Sequence, residues 1–207
     1  MREKRMIGFY NFSVVLTYIG LAFSIYGMTQ ALNDNHKIAF VCLMISGLCD
    51  MFDGKIARAM DRTDDEKRFG IQIDSLCDLI CFGAFPAIIV YSFGATGVLG
   101  NLCIILYVLA AVIRLGFFNV MEEKRQEETC ENRKQYQGLP VTSVAIILPF
   151  LYLFRNQFTF LPVLEVVILV IAMLFLLNIK VKKPGKSESI IMIAFATVIF
   201  LKVLELL

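Results

Sequence analysis

The sequence predicts an all-α integral membrane protein, a polytopic bundle of about seven transmembrane helices, with six as the alternative. Three observations predict it. Of its 207 residues, 58% are hydrophobic, and the mean hydropathy is +0.72; a soluble domain is typically about 45–50% apolar. The apolar residues come in long blocks. Polar connections separate the blocks, with no internal repeat, low-complexity tract or soluble domain, so residues 1–207 read as a single membrane domain. A net charge of only +2 leaves no strongly basic surface and excludes nucleic acid as a partner.

Each span follows from the need to cross about 30 Å of hydrocarbon at roughly 1.5 Å per residue. The first, 7–31, is too long for a cleavable signal peptide and lacks a small-residue cleavage site, so it reads as a retained helix. After "NDNHK" comes the second, 37–59. The connection "RAMDRTDDEKR" leads to the third, 70–93. The link at 94–97 is short and uncharged and predicts a tight hairpin with the fourth, 96–121. Beyond "EEKRQEETCENRKQYQ" lies a marginal fifth span, 140–155, and then the sixth, 159–179. After "KVKKPGKSES" the stretch 189–206 is either a seventh span or an accessory helix.

Positive charge orients the bundle. Arg2, Lys4 and Arg5 lie at the N-terminus; Arg58, Arg62, Lys67 and Arg68 in the second loop; Lys124, Arg125, Arg133 and Lys134 in the fourth; Lys180, Lys182, Lys183 and Lys186 in the sixth. The other side keeps Lys37, Arg155 and Lys202. This predicts the cytoplasmic membrane, with the N-terminus and the even-numbered loops facing the cytoplasm.

Six cysteines (Cys42, Cys49, Cys77, Cys81, Cys103 and Cys130) show no CxxC pattern, and five lie in apolar segments as small hydrophobes. The single histidine, His36, sits in a polar turn, so chemistry built on a histidine base is not expected.

The residues that demand explanation are four carboxylates in or beside apolar spans, each costing roughly 2.5–3.5 kcal/mol at a helix centre on insertion scales. Asp50, Asp53 and Ala57 are spaced i, i+3, i+7 and share a helix face with Gly54. Asp74 and Asp78, at i and i+4, share a face of the next helix. A short loop makes the two helices antiparallel neighbours, so four carboxylates converge just below the cytoplasmic interface. Such charges require protonation or a multivalent cation. All-oxygen ligation suits Mg²⁺, Mn²⁺ or Ca²⁺; zinc is disfavoured, because Cys49 and Cys77 point about 100° away from the adjacent Asp and no His ligands accompany them. Gly54 and Ala57 leave room for a ligand beside the ions, or simply let helices pack closely. Arg58, one turn beyond Gly54, can reach a phosphate bidentately.

The pattern Asp50-x2-Asp53-Gly54-x2-Ala57-Arg58-x11-Gly70-x3-Asp74-x3-Asp78 resembles the signature of the CDP-alcohol phosphotransferase family, with a longer gap before Gly70 than is usual there. The resemblance implies a membrane enzyme with two divalent ions, Mg²⁺ or Mn²⁺, held by Asp50, Asp53, Asp74 and Asp78. It implies cytidine and phosphate binding around Asp53, Gly54, Ala57, Arg58 and Gly70, activation of an alcohol by Asp78, and a homodimer. The run Gly70-x3-Asp74-Ser75-Leu76-x-Asp78-x3-Phe82-Gly83-x2-Pro86, with "RLGFFN" (Arg114–Asn119) and "GLP" (Gly138–Pro140), is similar to the phosphatidylserine synthase branch. The branch's first-span triplet Asn-x2-Thr-x2-Asn stands here as Asn11, Val14 and Thr17.

Arg114 is a cation in an otherwise apolar span and needs a partner. A serine carboxylate, a lipid phosphate, or a structural pair with Glu122 or one of the aspartates would serve. Asn119 could add a hydrogen bond to the amino acid, whereas Ser75 reads as a hydroxyl bonding its own backbone. The implied reaction is transfer of the phosphatidyl group of CDP-diacylglycerol to L-serine. Glycerol phosphate or inositol as acceptor is the alternative within the same chemistry. A cation or proton transporter is the alternative of another class, although transport would spread acidic residues along the membrane normal, where these cluster at one face.

Overall fold

The computed structural model describes residues 8–9, 12–128, 135–157, 159–182 and 186–205. Its helices are α1 (Phe12–Leu32), α2 (His36–Arg58), α3 (Asp64–Asp78), a π-helical turn (Leu79–Ala84), α4 (Phe85–Ser92), α5 (Val98–Glu128), α6 (Val144–Tyr152) behind a 3-10 turn (Val141–Ser143), α7 (Phe160–Leu176) and α8 (Lys186–Val203). As α3, the π turn and α4 run on without a break, the described residues form seven helical rods. Among the described residues, 14–32, 64–92 and 98–125 are long and apolar enough to cross a membrane, and shorter apolar helices cover 141–152, 160–176 and 192–203. The protein is a polytopic membrane helical bundle.

Helix α1 is built inside out. Its buried stripe is Val14, Thr17, Gly20, Ser24, Gly27 and Ala31, whereas Val15, Ile19, Phe23, Ile25 and Tyr26 are exposed. Small residues let backbones approach where lipid removes the hydrophobic drive between helices. A Cβ on Gly27 would lie 2.3 Å from Phe85 Cζ and 2.7 Å from Cys42 Cβ, and one on Gly20 would lie 3.1 Å from Cys49 Cβ. Thus α1 seats against α2 along its length, and it also packs on α3 and α4. The core gathers Phe40, Phe82, Phe85, Ile89, Tyr107, Leu148, Leu164, Ile168 and Ile171.

Several boundaries differ from the sequence reading: the sixth span ends at Leu176 rather than 179, the last covers Lys186–Val203 rather than 189–206, and three others differ as follows. The third rod starts at Asp64 rather than 70, because Thr63 and Glu66 form a capping box and Asp64, Asp65 and Glu66 fill the first turn, favourable at a helix N-terminus. The fourth extends past 121 to Glu128, carried by polar residues that leave the apolar zone without ending the helix. The fifth is shorter than 140–155, confined to the 3-10 turn and α6.

A small addition breaks the all-helical pattern. Gln135–Gln137 (β1) pairs antiparallel with Lys180–Lys182 (β2), in register Gln135↔Lys182, Tyr136↔Val181 and Gln137↔Lys180. The pairing continues as Gly138 N–H donates to Ile179 O at 2.7 Å and Leu139 N–H to Leu174 O at 3.1 Å. The fourth and sixth loops are thereby tied together. At the other end of the bundle, His36 stacks on Phe93 at 3.9 Å and bonds Ser92. There Glu205, after α8, takes Lys37 at 3.2 Å and Arg155 at 3.0 Å.

Candidate active site

Asp74 and Asp78 lie one turn apart at the end of α3, which starts at its Thr63 capping box and packs on α1 and α5. Carboxylate oxygens of Asp50 on α2 and of Asp74 and Asp78 on α3 all lie within 4.8 Å of one another. The sequence expected α2 and α3 to be simple neighbours. Instead α1 packs against both, and α2 meets the third rod mainly along its π turn and α4. The carboxylates reach across the space that this arrangement leaves.

Asp53 stands outside that trio. It is buried and accepts a hydrogen bond from Thr17 Oγ1 at 2.8 Å. It shares a cleft with Asp50 and Asp78, lined also by Gly20, Ser46, Cys49, Cys77, Cys81 and Phe82. The donor set fits a hard cation. The trio that converges is all oxygen, and no cysteine or histidine joins it among the described residues, which is the ligand chemistry of Mg²⁺ or Mn²⁺ rather than of zinc.

The π turn begins directly after Asp78. Such turns arise mostly as single insertions and often at functional sites. Pro86 has no N–H to return to the Phe82 carbonyl, and the buried Tyr107 hydroxyl on α5 donates to that oxygen instead. The irregular helix below Asp78 is thus tied to α5 in a medium without water.

The remaining sequence candidates lie around this centre. Gly54 and Ala57 are half-buried on the α2 face that carries Asp50 and Asp53, while the side chain of Arg58 lies outside the described residues. Gly70 lies under Arg62: a Cβ there would be 3.2 Å from Arg62 Nη1, a neighbour the spacing did not single out. Ser75 Oγ donates to Asn119 Oδ1 at 2.5 Å, joining α3 to α5; the expectation that Ser75 bonds its own backbone is corrected. Asn119 therefore stands one residue along α3 from Asp74. Arg114 is buried and packs against Gly138 and near Phe175, its guanidinium carbon 6.0 Å from that ring. Glu122, one of its structural candidates, bonds Arg125 at 2.5 Å. Thr17 is the residue that the sequence reading left without a role. Its signal was present: a hydroxyl two turns before another, Ser24, on the small-residue stripe.

The family model for CDP-alcohol phosphatidyltransferase matches residues 10–206. The chain belongs to that family. The family's relatives include the CDP-diacylglycerol–serine O-phosphatidyltransferase of Mycobacterium tuberculosis, 25% identical over 158 residues, 76% of this chain and 54% of that protein. The protein of the same name from Saccharomyces cerevisiae is 31% identical over 120 residues, 56% and 42% of the two chains. The archaetidylserine synthase of Methanothermobacter thermautotrophicus is 28% identical over 154 residues, 74% and 62%. The chain spans about half the length of these relatives.

Proposed function

We propose that the protein transfers the phosphatidyl group of CDP-diacylglycerol to L-serine, giving phosphatidylserine and CMP. The observation that carries the chemistry is the convergence of Asp50, Asp74 and Asp78 within 4.8 Å inside an apolar bundle. The choice of serine is supported by the relatives, whose names specify serine or an archaetidylserine product.

In this reading Asp50, Asp53, Asp74 and Asp78 hold two divalent cations, Mg²⁺ or Mn²⁺. When bound, they neutralise charge that develops on the phosphoryl oxygens and on CMP. Gly54, Ala57 and Gly70 admit the nucleotide close to backbone, and Arg58 takes a phosphate oxygen. Arg114 receives the serine carboxylate, a planar bidentate match, and Asn119 bonds the amino acid. Asp78 accepts the hydroxyl proton as the serine oxygen forms its bond to the β-phosphorus and the bond to the CMP oxygen breaks. Direct displacement is favoured, because among the described residues no cysteine joins the trio and the Ser46 hydroxyl in the cleft is taken up by the backbone carbonyls of Gly20 and Cys42. The acyl chains enter from the bilayer and serine from the cytosol, with the N-terminus and the site on the cytoplasmic side of the cell membrane, and the working unit is a homodimer.

The test supplies purified protein with CDP-diacylglycerol and isotopically labelled L-serine. Labelled phosphatidylserine is expected. CMP release without label entering lipid would overturn the serine assignment.

A further inference from the structure

A threonine inside a helix commonly donates to the carbonyl one turn back. Ser46 follows that habit, donating to Cys42 O at 3.0 Å or across to Gly20 O at 2.8 Å, with Ser24 bonded to it at 2.8 Å. These hydroxyls join α1 to α2 and need no further role. Thr17 does something else: its hydroxyl goes to the Asp53 carboxylate, 36 positions away, at 2.8 Å. Both groups are buried, Thr17 to 9% and Asp53 to 6% exposure. A threonine side chain is short, so the contact requires α1 and α2 to lie close. Gly20, one turn along α1, provides this by leaving no Cβ against Cys49. Asp53 is the carboxylate that stays out of the Asp50–Asp74–Asp78 trio, yet it lines the same cleft as Asp50 and Asp78. The hydrogen bond holds Oδ2 on the α1 side and restrains rotation of the carboxylate.

We propose that Thr17 is a positioning residue for Asp53, holding its carboxylate against the edge of the aspartate trio so that all four act as one cation site. The proposal rests on the functional reading above and assigns α1 a part in it. Partners that orient a metal-binding carboxylate typically contribute about 10–100-fold to metal affinity or activity.

The experiment measures Mn²⁺ binding to the purified full chain, by the loss of the free-ion electron paramagnetic resonance signal without added nucleotide. Thr17→Val keeps the shape and removes the hydroxyl, and is expected to weaken Mn²⁺ binding by about 10–100-fold. Thr17→Ser restores the donor and is expected to recover most of the affinity, which a purely packing role would not explain. Wild-type affinity in Thr17→Val overturns the inference alone. Wild-type protein that binds no Mn²⁺ overturns the metal reading and the inference with it. Thr17→Ala makes the same comparison should the valine variant not fold; failure of both to fold makes Thr17 a packing residue and overturns the proposal.

Discussion

Gly138→Ala probes the point where fold and acceptor site meet. Gly138 has φ +72°, a left-handed conformation that costs a residue with a Cβ about 1–2 kcal/mol. The added carbon would lie 2.7 Å from Arg114 Nη1, 3.0 Å from Leu177 O and 3.2 Å from Phe175 O. The two oxygens are backbone, fixed near the end of α7, so the guanidinium is the group that moves. Forcing an extra carbon into packed surroundings costs about 1–3 kcal/mol, and the two effects together come to about 2–5 kcal/mol. At about 2–4 °C per kcal/mol for a chain of this size, Tm should fall by roughly 4–20 °C. The chain has no tryptophan, but five buried free cysteines are described, so thermal unfolding can be followed by their reaction with a fluorogenic thiol reagent. If Arg114 holds the serine carboxylate, the serine KM should rise in the same variant while the lipid KM changes little. Wild-type Tm together with wild-type serine KM would refute the reasoning.

Arg114→Lys keeps the charge but loses the planar fork, and is expected to raise the serine KM far more than the lipid KM; steady-state titration of each substrate checks it, and a change confined to the lipid would assign Arg114 to phosphate. Asp78→Asn should still bind the nucleotide but turn over about 10²–10⁴-fold more slowly, whereas Asp50→Asn should weaken metal and nucleotide binding together; nucleotide titration paired with CMP release separates the two. Excess chelator should abolish activity and added Mg²⁺ or Mn²⁺ restore it; full turnover after the ions are stripped would contradict the cation reading.

The bundle was legible because lipid imposes one dominant rule, long apolar stretches between polar turns, and that rule is written residue by residue. The trio was legible for a related reason: carboxylates at i, i+3 and i, i+4 in apolar helices need one another or an ion. What escaped the reading depends on tertiary contact. The start of the third rod at Asp64 was hidden because "TDDE" was read as charged loop, though it carries the capping-box spacing. The Tyr107 bond to Phe82 pairs a proline on one helix with a hydroxyl on another, and no local pattern links them. The β1–β2 pair joins segments about 45 residues apart in sequence within loops of ordinary polar composition. Asp53 was grouped with its three neighbours by periodicity, which gives the face of a helix but not the partner that faces it. The partner proved to be Thr17 on α1.

The most direct measurement of the central claim is CMP release from CDP-diacylglycerol by the purified protein, with L-serine, glycerol phosphate or inositol offered in turn. The account requires rapid release with L-serine, matched mole for mole by phosphatidylserine, and little with the other two. Equal or faster release with glycerol phosphate or inositol, or none with any acceptor in the presence of Mg²⁺ or Mn²⁺, would contradict it.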